Sequence, residues 1–168
     1  MKILLRQLRD HYLVSRILLI LFGPLKYVCT KMSMWITWHV RANGVTIAAQ
    51  DYSVSFPRNI GLMYSSIMYW QGMDAYEPST WRVIRAGTGR AAAFLDVGSN
   101  IGLYAVMAAK AKPDLLVDVF EPVPSLAAGN RKFHESNALS AERVHEVAVS
   151  DTVGTAKLSI PRYEGGAE

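Results

Sequence analysis

The stretch between residues 92 and 121 constrains this chain more than any other. Ala92, Ala93, Phe94, Leu95, Asp96 and Val97 make a short apolar run that closes on an acid, and such a run reads as a fully buried strand. Gly98-Ser99-Asn100-Ile101-Gly102 follows at once, a turn bracketed by glycines. Residues 103–110 are then rich in alanine and are stopped by Pro113, a pattern that predicts a helix. A second apolar run over 115–120 ends in Glu121-Pro122, with Glu121 placed 25 positions after Asp96. That separation is about the length of one crossover between parallel strands. A helix over 125–137 and a strand over 144–150 continue the alternation. The order β-α-β-α-β predicts an α/β fold: a parallel sheet with helices on its faces.

The residues at the strand ends carry the chemistry. Gly98 and Gly102 allow positive φ and close backbone approach, so that a ligand can sit against bare peptide at a helix N-terminus. Open parallel sheets bind ligands at the carboxyl ends of their strands, where Asp96, the turn and Glu121 all fall. An acid in the position of Glu121 can accept two hydrogen bonds from a ribose diol. A nucleoside-containing cofactor follows. The glycine spacing is G-x-x-x-G, with Ser99 and Asn100 where a dinucleotide fingerprint needs its middle glycine, and no G-x-x-x-x-G-K is present. Asp96 repels a pyrophosphate and suits a cation. S-adenosylmethionine, with a sulfonium, an ammonium, a ribose diol and no phosphate, matches that chemistry; NAD and an oxidoreductase activity do not. Two plainer readings stand beside these: Asp96 as a cap on the following helix, and Glu121 as a loop acid before proline.

Phe94-Leu95-Asp96-Val97-Gly98-Ser99-Asn100-Ile101-Gly102-Leu103-Tyr104 resembles the first motif of the FkbM-type S-adenosylmethionine-dependent methyltransferases. Val119-Phe120-Glu121-Pro122 is similar to the second-strand motif of that family, and Asn130 and Asn137 to its paired asparagines. Val147-Ala148-Val149-Ser150-Asp151 with Gly154 resembles the third-strand segment, and Tyr76-Glu77-Pro78 the lead-in motif. The resemblance covers roughly residues 74–160. It implies a Rossmann-like class I methyltransferase fold, cofactor contacts from Glu77, Asp96, Gly98, Ser99, Asn100, Gly102 and Glu121, and O-methylation of a hydroxyl on a sugar or other small molecule. One departure stands out. The family continues past its third strand to an acidic D-x-E-G-type segment and further strands, whereas this chain closes at Ser159-Ile160-Pro161-Arg162-Tyr163-Glu164-Gly165-Gly166 and two further residues. The expectation is therefore the first, cofactor-binding half of such an enzyme, with much of the acceptor site lacking and no general base identified.

Composition bounds the remaining classes. With 51% hydrophobic and 19% charged residues the chain can build a core, which excludes disordered and low-complexity classes. One cysteine, Cys29, excludes a disulfide framework and a cysteine zinc cluster; it reads as inert, and no metal site is expected. Residues 1–50 hold seven Lys and Arg against the single acid Asp10, a net +6, while residues 51–168 hold eleven against thirteen acids, a net −2. A nucleic-acid-binding body spreads its basic residues, so nucleic acid is not an expected partner.

The basic balance sits on an N-terminal segment, 1–40, set apart from a domain over 41–168. Lys2, Arg6, Arg9 and Arg16 return to one helical face; Leu4, Leu5, Leu8, Tyr12 and Leu13 cover much of the rest. Residues 17–22 are wholly apolar, and Gly23-Pro24 ends the run, too short to span a bilayer. No A-x-A-like site follows, so a signal peptide fits only in part. Two readings remain: a helix lying in a membrane interface with Trp35 and Trp38 as belt residues, and a helix packed on the domain with solvated arginines. The expected location is cytoplasmic, with peripheral association at the inner membrane face on the first reading.

In the middle, Asn43-Gly44 marks a turn before a short strand over 45–47. The aromatic and Met-rich stretch 62–81 reads as the edge of a core or as pocket lining. A helix starts at Pro78 and ends at Gly87. Asn130 and Asn137 read as structural, and His134 and His145 as surface or strand residues that no acid pairs in sequence. The alternative to an enzyme is a non-catalytic, membrane-associated Rossmann-like module.

Overall fold

The structure is a computed structural model and describes residues 7, 10–24 and 30–160, with only the backbone for 30–34. Lys2, Leu4, Leu5, Arg6, Leu8, Arg9, Cys29 and the residues after Ile160 lie outside the described residues, so the expectations placed on them are not addressed. The chain divides into two units, Met1–Trp81 and Arg82–Ala167. The segment 1–40 thus shares its unit with residues 41–81.

The first unit contains helices α1 (Tyr12–Phe22), α2 (Thr30–His39) and α3 (Leu62–Gln71), with a hairpin of β1 (Thr46–Ala48) and β2 (Ser53–Ser55) between the second and third. The hairpin is antiparallel, with Ile47 opposite Val54, and both are buried. This strand follows the Asn43-Gly44 turn as expected. Gly44 has φ +65, and a Cβ there would lie 2.8 Å from the Tyr12 ring, so only glycine lets α1 lie this close. Asn43 is fully buried and ties the unit together: its amide donates to the Asp10 carbonyl and the Asn59 side chain, and its carbonyl accepts from the Asn59 backbone. The α3 helix docks through polar groups, with Ser65 Oγ donating to the Ala42 carbonyl and Trp70 Nε1 to the Val40 carbonyl. Met68, Trp70, Met73 and Trp81 are buried, so this aromatic stretch is mostly core.

The second unit carries the parallel sheet. Most of α4 (Pro78–Thr88) lies in this unit, followed by β3 (Ala93–Val97), α5 (Leu103–Ala111), β4 (Leu116–Phe120), α6 (Pro124–Ser136) and β5 (Val144–His145). The strand order is β3-β4-β5, all parallel. An α/β fold with a three-stranded parallel sheet is therefore present, and α4 runs one residue past Gly87. Ala105, Ala108 and Ala109 of α5 pack on Val117, Val119 and Val144, with Ile84 and Phe94 at the margin.

Two expectations need correction. The first strand is not fully buried: among the described residues it is an edge strand, and its outward residues Leu95 and Val97 are 63% and 58% exposed. Leu116, on the same face of the next strand, is exposed too. An apolar run alone cannot distinguish a strand covered on both faces from one covered on a single face. The third strand is also much shorter than 144–150: pairing stops at His145, and residues 146–160 are exposed and carry no regular structure.

Candidate functional site

Gly98 and Ser99 hold the turn to the neighbouring strand, both backbone N–H groups donating to the Phe120 carbonyl at 2.9 and 3.3 Å. Gly98 and Gly102 both have φ +75 and Asn100 has φ +55, so three positions in five residues are left-handed. The two glycines do different work. A Cβ on Gly98 would meet nothing within 4 Å, which leaves bare peptide facing open space. A Cβ on Gly102 would fall 2.3 Å from Asn130 Oδ1. The close approach expected of a ligand at Gly102 is made by α6 instead.

Asn130 is the residue that locks this turn. It is fully buried, and its amide donates to Ser99 Oγ at 2.9 Å and to the Asn100 carbonyl at 3.3 Å. Asn137, at the end of the same helix, donates to the Phe133 carbonyl, so both asparagines are structural as expected.

Asp96 and Glu121 face this turn from adjacent strand ends. Glu121 is only 4% exposed. Its Oε2 accepts the Asn100 N–H at 2.8 Å and its Oε1 the Val123 N–H at 2.9 Å. The carboxylate expected to meet a ribose diol is thus the clamp that shapes the loop. Asp96 is half-buried and accepts the Ala105 backbone N–H, the third residue of α5. The N-cap position of that helix is Gly102, which has no side chain to cap it, so Asp96 supplies the missing acceptor from the preceding strand. The capping reading of Asp96 is therefore present. It uses only part of the carboxylate, because Oδ2 is buried with no hydrogen-bond partner. Burial, with a smaller repulsion from Glu121, raises the Asp96 value above the ordinary carboxylate range. Two acids at one strand edge, one with an unmatched oxygen, make a site that favours a positive charge.

The structure thus brings Asp96, Gly98, Ser99, Asn100, Gly102 and Glu121 together. Glu77 belongs to the first unit. It has φ +43, unusual for a side-chain-bearing residue, and lies beside Tyr64 and Tyr76, whose rings meet edge to face at 4.8 Å. Burial, then the neighbouring Tyr64 and Glu77, push the Tyr76 phenol up to about 12. A groove of about 670 Å³ runs between Pro122 and residues 146–158, of a size that holds a small ligand. It adjoins Glu121 in sequence, but none of the expected cofactor residues lines it.

Sequence reasoning missed a charged cluster across β4 and β5. Asp118 accepts from Arg143 at 2.6 Å and pairs with His145 Nε2 at 2.9 Å. These bonds, that from His145 foremost, hold the Asp118 carboxyl below its usual range. The signal available was register: His145 sits opposite Phe120, and Asp118 lies two residues before it on the same face. His134 is a correction as well. It is buried in α6, its Nδ1 against the Asn130 carbonyl at 3.1 Å, and desolvation lowers its value. Among the described residues no cluster suited to a metal ion occurs. No protein family, curated protein or solved structure matches this chain.

Proposed function

We propose that the second unit binds S-adenosylmethionine and belongs to a methyltransferase that acts on a hydroxyl of a sugar or other small molecule. The observation that carries this reading is the buried, unpartnered Oδ2 of Asp96 beside a glycine turn at the carboxyl ends of parallel strands. A cationic ligand satisfies that oxygen and offsets the repulsion from Glu121; a pyrophosphate adds to it. The uncrowded peptide at Gly98 accommodates a ligand against bare backbone. On this reading Asp96 holds the positive end of the ligand, and Ser99 and Asn100 border it.

When bound, the cofactor supplies an electrophilic methyl group. The chain's share is to place and orient it: Asn130 and Glu121 fix the turn, and Asp96 provides charge. Glu121 would hold a ribose diol only by sharing or giving up one of the backbone amides that its two oxygens accept, that of Asn100 or that of Val123.

Titration calorimetry with S-adenosylhomocysteine, S-adenosylmethionine and NAD tests the proposal. The two sulfur nucleosides are expected to bind and NAD is not; tighter binding of NAD would overturn it. One observation favours a non-catalytic module. Both oxygens of Glu121 already serve backbone amides, leaving the residue 4% exposed. Failure of both sulfur nucleosides to bind, together with no methyl transfer to any hydroxylated acceptor, is the result that reading expects.

A further inference from the structure

The α1 helix is apolar nearly all round, yet among the described residues it is covered on one side only. Ser15 and Leu19 face inward and are buried, Tyr12 lies under the Arg58 guanidinium at 3.7 Å, and Ser15 Oγ donates to the Tyr12 carbonyl. The opposite face presents Leu13, Ile17, Ile20 and Leu21, between 58% and 74% exposed, with Arg16 exposed among them. These positions follow helical spacing, so they form one continuous ridge. A helix apolar on both sides is ordinarily buried on both, and a bare ridge of this kind marks an interaction surface.

We infer that this ridge lies on the surface of an anionic lipid bilayer. Three observations select that occupant. The first 50 residues carry a net charge of +6 while the remainder carries −2, so the basic excess belongs to the same stretch of sequence as the ridge, and Arg16 stands exposed within it. The same unit exposes two indoles, Trp35 at 56% and Trp38 at 55%, a residue type suited to the lipid–water boundary. The helix has 11 residues, about 16 Å of length against the roughly 30 Å of a hydrocarbon core, which suits lying on a bilayer rather than crossing it. Among the described residues no helix is long and apolar enough to cross a membrane. The sequence offered a packed helix and an interfacial helix as alternatives. The geometry allows both at once, one face for each.

The test is flotation of the full chain with phosphatidylcholine vesicles, with and without phosphatidylserine. Binding to the anionic vesicles alone is expected, weakened by salt. Ile17→Glu combined with Ile20→Glu should lower the partition coefficient by about tenfold or more, with melting unchanged because both side chains face solvent. Arg16→Glu, which leaves the apolar ridge intact, should weaken binding to the anionic vesicles. Acrylamide quenching gives a second readout: Trp70 and Trp81 are already buried, so protection on adding vesicles reports Trp35 and Trp38. Equal binding to neutral vesicles, no binding, or full binding by the double variant would overturn the proposal. So would light scattering that showed a dimer dissolved by the double variant with no vesicle binding, because the ridge would then serve a second copy of the chain.

Discussion

Asp96 is in conflict with its own fold. Its ionised form is stabilised by the Ala105 N–H and opposed more strongly by burial and by Glu121. Because folding raises its value, stability is greatest below the ordinary 3.8 and falls as pH rises through the folded value. Asp96→Asn should therefore raise the stability of the ligand-free chain at pH 7, read from denaturant melts. The same change should weaken binding of the sulfur nucleoside by about 1–3 kcal/mol, the scale of losing a charged hydrogen-bond partner. Loss of stability together with unchanged affinity would assign Asp96 to capping alone. The glycines give a second comparison. Gly98→Ala meets only the left-handed backbone and should cost about 1–2 kcal/mol. Gly102→Ala adds the collision with Asn130 and should cost clearly more; equal melting temperatures for the two would contradict the close packing of Asn130 on Gly102.

At the scale of elements, the short pairing of β5 with β4 leans on side chains. Only two residue pairs join these strands, and the Asp118–Arg143–His145 cluster spans the same junction. The lowered Asp118 value means that its contribution is present above the ordinary 3.8 and is lost as pH falls through the folded value. The partners are partly solvent-exposed, so Asp118→Asn should cost no more than about 1 kcal/mol at pH 7. The difference between variant and parent should vanish in acid. A gap that persisted unchanged in acid would show that charge is not its origin. The turn after β3 is held in a similar way by Glu121 and Asn130 from two other elements, so Glu121→Ala should speed amide exchange at Asn100 and Val123 before it affects the helices.

For the whole molecule, the uncovered side of the sheet has the larger consequence. Leu95, Val97 and Leu116 lie exposed on one face, and β3 is an edge strand. Such an edge offers unpaired backbone groups beside an apolar face, a combination that invites association. The 168-residue chain should therefore bind a hydrophobic dye and self-associate as concentration rises. Leu95→Lys with Val97→Lys should shift it toward monomer without lowering its melting temperature. A chain that stays monomeric at high concentration and binds no dye would refute this.

Much of the second unit was legible in the chain itself. The helix over 103–111, the parallel order and the meeting of Asp96, the glycine turn and Glu121 all follow from local signals: alanine content, Pro113 and a crossover of fixed length. Those signals act over a few residues, and the chain's own stereochemistry enforces them. What the tertiary structure alone decided were matters of distance along the chain and of covering. Asn130 occupies the space above Gly102 from 28 positions away, and Asp118 finds His145 only through strand register. The same apolar pattern reads as a buried strand whether helices cover one face or two, so the exposure of Leu95 and Val97 was not legible. Likewise, an all-round apolar helix does not say which face it keeps for its own unit. That choice, Ser15 and Leu19 inward and Ile17 and Ile20 outward, was made by what α1 packs against.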